Sequence, residues 1–191
     1  SLIEEILLLA QIESGKLDLN ISLVPIPSFL NEIALAAETW MLQKKNTFSL
    51  QVSDGLEDIE TDEVKLRQII LNLLHNAAKF TYKGNISLHV NENTRGKEPW
   101  VSFQVKDTGR GITADDIQKI FEYFTHIDKH STQLAGGAGI GLATTKRFCQ
   151  ALGGEIVVES VLNQGTTFTV LLPKHFRQMG NEQFYLQGQN E

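Results

Sequence analysis

Three short stretches of this chain combine residue types that could hold a nucleotide. Asn72 and Asn76 stand four residues apart, with Lys79 three further on. On a helix that spacing sets two amides and an ammonium along one side. An amide oxygen suits a hard cation such as Mg2+, which keeps several waters and shares its remaining coordination with ligand phosphates. A lysine adds a point charge for a phosphate. Asp107 opens the run Asp107-Thr-Gly-Arg-Gly111 at the end of a strand-like stretch. A carboxylate there can accept a hydrogen bond from the exocyclic amine of adenine, where guanine has a carbonyl. Gly109 and Gly111 let backbone approach a flat ligand or take positive φ. Gly137, Gly139 and Gly141 open a helix, and glycines in that place leave N–H groups to bind anions.

Each stretch has a plainer explanation. Asp-x-Gly is common turn chemistry, and a glycine run can serve as a hinge. The paired amides resist such a reading, because the helix around them is strongly apolar and buried amides need partners. The glycine run is not the dinucleotide fingerprint, since no buried βαβ strand precedes it, nor a P-loop, since no Lys-Ser/Thr follows. His75, beside the amides, reads as a surface or supporting residue.

The elements that must position these groups follow from periodicity. Residues 1–14 carry helical apolar spacing stopped by Gly15, an apolar face that wants a partner helix. Residues 17–23 alternate as a strand, with Leu17, Leu19, Ile21 and Leu23 on one face. Pro25 and Pro27 precede a helix over about 28–44, with Ser28 as its N-cap. Residues 47–52 alternate again. Asp62 opens a helix over about 62–79 whose broad apolar face is Leu66, Ile69, Ile70, Leu73, Leu74 and Ala77. Residues 86–90 and 101–105 have period-two patterning and read as hairpin partners. Thr113-Ala-Asp-Asp116 reads as a capping box for a short helix to about 121. A mobile loop over 125–138, a helix over about 139–152 ended by Gly153-Gly154, and strands at 155–160 and 165–172 complete the pattern. The tail from 174 is polar and expected to fray.

The chain has 191 residues, 41% of them hydrophobic, which is enough for one cored domain. A formal charge of −6 argues against a general nucleic-acid or anionic-membrane binder, for want of a basic field. It leaves room for a phosphorylated ligand held by local groups. The single cysteine, Cys149, excludes a disulfide within the chain and a Cys-rich zinc site, and its apolar setting reads as buried filler. No apolar run reaches membrane-spanning length.

Taken together, the motifs resemble a known family. Asp62-x-x-Lys-Leu-Arg-Gln-Ile-Ile-Leu-Asn72-Leu-Leu-His-Asn76-Ala-Ala-Lys79-Phe80-Thr resembles the N box of sensor histidine kinases. Asp107-x-Gly109-x-Gly111, followed by Ile112, is similar to their G1 box, Ile120-Phe121-Glu122-Tyr123-Phe124 to the F box, and Gly137-Ala-Gly139-Ile-Gly141-Leu142 to the G2 box. The resemblance implies a catalytic ATP-binding domain over 17–173, with the Bergerat fold shared with gyrase, Hsp90 and MutL. That is an α/β (α+β) sandwich whose mixed, mostly antiparallel sheet is covered on one face by helices. Residues 1–16 resemble the C-terminal end of a dimerisation and phosphotransfer helix, and 174–191 a polar tail or linker.

The resemblance also implies roles, with ATP and Mg2+ as cofactors. Asn76 would carry Mg2+, Lys79 would touch phosphate and Phe80 would pack on the base. Asp107 would read the adenine amine, supported by Thr166, with Gly109, Gly111 and Ile112 around it. Gly137, Gly139, Gly141 and Leu142 would meet the phosphates. Asn72 stands where related ATPases carry a water-activating Glu, and an amide is no general base; the implied enzyme transfers phosphate to a separate histidine.

The implied partners are a phosphoacceptor helical domain, a response-regulator receiver and a second copy in the full-length homodimer, with no nucleic acid. The implied location is cytoplasmic, with any membrane anchor elsewhere. His75, His89, His126, His130 and His175 all lack the phosphoacceptor context, so this chain is expected not to phosphorylate itself efficiently. Tyr123 replaces the usual F-box proline, Ala138 replaces a common hydroxyl residue, and no basic residue stands just before Gly136. Two other readings share these residues: a degenerate nucleotide- or partner-binding module without transfer, and an anti-sigma-type serine kinase.

Overall fold

The computed structural model describes residues 17–123 and 139–176. The expectations for the helix in 1–14, the loop 125–138 and the tail beyond 176 lie outside them. In chain order the elements are β1 (Ile21–Pro25), α1 (Ile26–Gln43), β2 (Thr47–Val52), β3 (Asp58–Asp62), α2 (Glu63–Phe80), β4 (Asn85–Arg95), β5 (Glu98–Asp107), α3 (Ala114–Ile117), α4 (Gly141–Ala151), β6 (Glu155–Val161) and β7 (Gly165–Pro173).

Five strands form one sheet in the order β2-β4-β5-β7-β6. Only β2 and β4 run parallel; the other neighbours are antiparallel. Alternation decides which face is covered. Ile86, Leu88 and Val90 on β4, Val101, Phe103 and Val105 on β5, and Phe168, Val170 and Leu172 on β7 are all buried. Their intervening neighbours are mostly polar, as expected of a sheet with one packed face and one wet face. Helices α1, α2 and α4 cover the packed face, α2 lying against both α1 and α4. α2 sends Leu66, Ile69, Ile70, Leu73, Leu74, Ala77 and Ala78 inward, so the α/β sandwich with helices on one face is the observed architecture.

The start of α2 is fixed by Asp62, 1% exposed. Its carboxylate accepts from the amides of Lys65 at 3.0 Å and Asn20 at 2.8 Å. It thus caps the helix while tying down the chain that leads into β1. The hairpin of β4 and β5 and the capping box at Thr113 are as expected, the Thr113 hydroxyl accepting from the Asp116 amide at 3.2 Å.

Four expectations are corrected, the first being the short helix expected to reach about 121, which ends at Ile117. The strand expected at 17–23 begins at Ile21, and its inward residue is Val24 while Leu23 is 65% exposed. Alternation over so short a run does not say which face finds a partner. That partner is β3, which pairs antiparallel with β1 and was not expected from sequence. In Asp58–Asp62 only Ile59 is apolar, so the pattern carries almost no hydrophobic signal. Finally, α1 begins at Ile26 with Pro27 inside its first turn, where a missing N–H costs nothing. Ser28 is therefore not the N-cap; its hydroxyl donates to the Pro25 carbonyl at 3.1 Å.

At the other end, Lys174 is anchored. Its amide donates to the Pro99 carbonyl at 3.0 Å, its carbonyl accepts from Glu60 at 2.9 Å, and its ammonium meets Glu92 at 2.7 Å.

Candidate functional site

The sheet register builds the site. Leu88 pairs with Val105 and Val105 with Phe168, an apolar row under the helices. One step along, Ile86 pairs with Asp107, Asp107 with Thr166, and Thr166 with Ser160. Residues two apart share a face, so this next row turns polar on the same helix-covered face. The site is the end of the core where the register changes from hydrocarbon to carboxylate and hydroxyl.

Asp107 is 6% exposed. It accepts from the Gly109 amide at 2.8 Å and the Thr81 hydroxyl at 3.4 Å, and also from the Thr166 backbone amide. Burial pushes its carboxyl above the ordinary carboxylate range, and these three donors pull part of the way back. The donor set leaves a buried carboxylate facing a polar end of the core, suited to one further donor from a ligand.

The turn after Asp107 is packed too tightly for side chains at two places. A Cβ on Gly109 would lie 2.5 Å from the Phe80 carbonyl and 2.9 Å from Asp107 Oδ1. Gly111 has φ +70, and a Cβ there would run into the Val161 carbonyl. Ile112 donates its amide to Ser160 Oγ at 2.8 Å, and Ser160 Oγ lies 2.9 Å from Thr166 Oγ1. Thus Phe80, Asp107, Gly109, Gly111, Ile112 and Thr166, separate in sequence, are brought together.

The second half of the site lies along α2. Asn72 donates Nδ2 to the Thr145 hydroxyl at 2.8 Å, and a Cβ on Gly141 would lie 2.5 Å from Asn72 Oδ1. The start of α4 is therefore seated directly on Asn72. Gly139 precedes it at φ +71, and Leu142 packs partly buried against the core. Asn76 is half-buried one turn along α2, and Lys79 and Phe80 follow at its end. The nine steps from Asn72 to Thr81 make a ruler of about 13.5 Å at 1.5 Å per residue.

Phe80 is 39% exposed, with the Lys79 ammonium 5.1 Å and the Arg110 guanidinium 4.6 Å from its ring centre. Burial and then the Arg110 charge push the Lys79 ammonium below its ordinary value. His75 has its ring edge-on to Trp40 at 5.0 Å, and burial, then Lys79, lowers its imidazole.

Among the described residues no group of three or more His, Cys, Asp or Glu could hold a metal ion. A cation here would rest on an amide oxygen and on its ligand's own phosphates, which Asn76 fits. Phe121 stacks edge-on against Phe168 at 6.5 Å, anchoring the described part of the F-box stretch beside the site. Gly137 and Ala138, with Phe124 and the histidines at 126 and 130, lie outside the described residues.

Sequence reasoning missed Thr81, Ser160, Thr145 and Arg110. Thr81 and Arg110 stood inside quoted motifs without an assigned role. Ser160 and Thr145 carry no local signal, because strand register and helix contact bring them to the site.

Residues 61–175 match the family described as histidine kinase-, DNA gyrase B-, and HSP90-like ATPase. The circadian input-output histidine kinase CikA of Synechococcus elongatus is 36% identical over 181 residues, covering 91% of this chain and 23% of that protein. The aerobic respiration control sensor protein ArcB of Escherichia coli is 33% identical over 174 residues, covering 90% of this chain and 22% of that protein. This chain thus spans under a quarter of these relatives' length. Among solved structures, full-length ShkA in complex with AMPPNP matches with a TM-score of 0.80 and 32% identity, over 93% of this chain and 36% of that one. The span matched by the family covers four of the five strands of the sheet, α2 with its paired amides, the Asp107 turn and α4, and on that ground the chain belongs to the histidine kinase-, DNA gyrase B- and HSP90-like ATPases, as a catalytic domain of the histidine-kinase branch.

Proposed function

We propose that this chain binds Mg-ATP and donates its γ-phosphoryl group to a histidine on a helical dimerisation domain of the full-length protein. The observation that carries the reading is the buried Asp107, held by Thr81, Gly109 and Thr166 at one end of a helical ruler whose other residues are Asn76 and Asn72. Asp107 accepts the adenine amine, with Phe80 beside the base and Gly109, Gly111, Ile112 and Thr166 shaping that end. Asn76 supplies an oxygen to Mg2+, which neutralises phosphate charge. Lys79, together with Gly137, Gly139, Gly141 and Leu142, receives the phosphates.

Transfer is then a matter of position. A ring nitrogen of the acceptor histidine attacks the γ-phosphorus, the bond to the β,γ-bridging oxygen breaks, and ADP leaves. Asn72 has no basic lone pair at neutral pH, so it holds the α2–α4 contact without activating water, which protects ATP from hydrolysis. The phosphoryl group passes on to an aspartate of a receiver domain. The full-length protein acts as a homodimer in the cytoplasm, and among the described residues no helix is long and apolar enough to cross a membrane.

Calorimetry with ATP, with and without Mg2+, tests the site. Wild type is expected to bind Mg-ATP, and Asn76→Ala to lose the Mg2+ dependence; an unchanged dependence would place the metal elsewhere. Phosphotransfer in trans to the helical domain of the same protein tests the activity. Tight nucleotide binding with no labelled histidine would support the non-transferring module instead.

A further inference from the structure

Ser160 sits on the edge strand β6, directly across from Thr166, which lies in turn across from Asp107 on β5. Its hydroxyl meets three groups. The Ile112 amide donates to it at 2.8 Å, the Gly165 carbonyl lies at 2.9 Å, and Thr166 Oγ1 lies at 2.9 Å. A serine hydroxyl has one proton and two acceptor lone pairs. An amide can only donate and a carbonyl can only accept. Ile112 therefore takes one lone pair and Gly165 takes the proton. The place left over is a lone pair, and Thr166 fills it by donating its own proton.

The count comes out the same from the side of Thr166. This residue is 6% exposed, and among the described residues Ser160 Oγ is the one acceptor that its hydroxyl meets. Its proton therefore points at β6, and the lone pairs of its Oγ1 are left without a protein donor. Its backbone amide is engaged by the Asp107 carboxylate. This end of the core thus carries two acceptors side by side, the ionised Asp107 and Thr166 Oγ1, and neither has a proton to give.

We infer that Ser160 is a positioning residue for base specificity: by holding the Thr166 proton it keeps the base end acceptor-only, so that an exocyclic amine is taken there and a carbonyl is rejected. This rests on the nucleotide reading of the site. Asp107 attracts the amine; Ser160 adds the exclusion. A carbonyl oxygen placed there meets lone pairs, whereas a threonine free of Ser160 could turn its hydroxyl and donate to it. Discrimination is strong where the wrong ligand leaves buried polar groups unpaired. Ser160 itself, with all three of its positions filled, acts through Thr166.

The test is calorimetry of wild type and variants with Mg-ADP and Mg-IDP, whose bases carry an amine and a carbonyl at the same position. Wild type is expected to favour Mg-ADP. Ser160→Ala is expected to lower the ratio of the Mg-IDP to the Mg-ADP Kd about two- to tenfold, the worth of one neutral hydrogen bond. A merely structural role would weaken both ligands equally and leave the ratio unmoved. Thr166→Val has no hydroxyl to orient, so adding Ser160→Ala to it is expected to lower the ratio no further. Ser160→Cys keeps the size with a weak acceptor and is expected to fall between alanine and wild type; it is the readout should the alanine variant fail to fold. An unchanged ratio in the Ser160 variants, or a full further fall in the Thr166→Val background, overturns the inference and leaves the nucleotide site standing. Wild type that binds both nucleotides equally overturns it too. Wild type that binds neither sinks the nucleotide reading and the inference with it.

Discussion

Asp107 is a buried carboxyl whose ionisation is set against stability. Its carboxyl is raised by burial despite three donors. A carboxylic acid whose folded pKa lies above the unfolded value contributes stability that is complete below the unfolded value and lost as pH rises through the folded one. At neutral pH the ionised form therefore costs stability, and under the proposed function a ligand amine that donates to it would offset that cost. Asp107→Asn is thus expected to raise the ligand-free midpoint of thermal unfolding at pH 7. The gain should vanish in acid below the ordinary carboxylate range, where both side chains are neutral. Identical differences at both pH values would refute the burial cost. The same variant is expected to weaken ATP by roughly 1.5–3 kcal/mol, the range for hydrogen bonds to charged groups, and GTP by less. Equal loss for the two nucleotides would contradict adenine readout.

At the scale of elements, the turn between β5 and α3 is set by steric exclusion. Gly111→Ala would combine a left-handed φ of +70 with a collision against the Val161 carbonyl, which the pairing of β6 and β7 holds in place. Such strain costs about 1–3 kcal/mol, and denaturant unfolding should show it as a lower midpoint with unchanged slope. An unshifted midpoint would mean that β6 yields easily and does not fix the turn. The elements themselves were legible where hydrophobic periodicity was strong. α2 shows a broad 3.6-residue face and β4 and β5 a clean alternation, and both stand where sequence places them. β3 was not legible, because Asp58, Glu60 and Asp62 outnumber its one apolar residue and only pairing with β1 makes it a strand. The start of α1 was misplaced because two prolines look like a break, while the first turn of a helix accepts them.

At the scale of the whole molecule, the site joins groups that no local window contains. Asp107 and Gly109 announce themselves as a motif, but the hydroxyls that support that end, Thr81, Thr166 and Ser160, come from the end of α2 and from two strands distant in sequence. Likewise Asn72 is visible as an amide on an apolar helix, while its partner Thr145 is visible only once α4 packs on α2. Because strands, α2 and α4 all contribute, a nucleotide that binds here bridges most of the domain and stabilises it against global unfolding. At a free concentration 100-fold above Kd, linkage supplies about 2.7 kcal/mol. For a domain of this size each kcal/mol is worth about 2–4 °C, so Mg-ADP is expected to raise the midpoint by roughly 5–11 °C. The rise should grow with the logarithm of ligand concentration and appear in one cooperative transition by calorimetry. A ligand shift confined to a minor early transition, with the main one unmoved, would show that the nucleotide holds only a local segment and that the sheet, α2 and α4 do not form one binding unit.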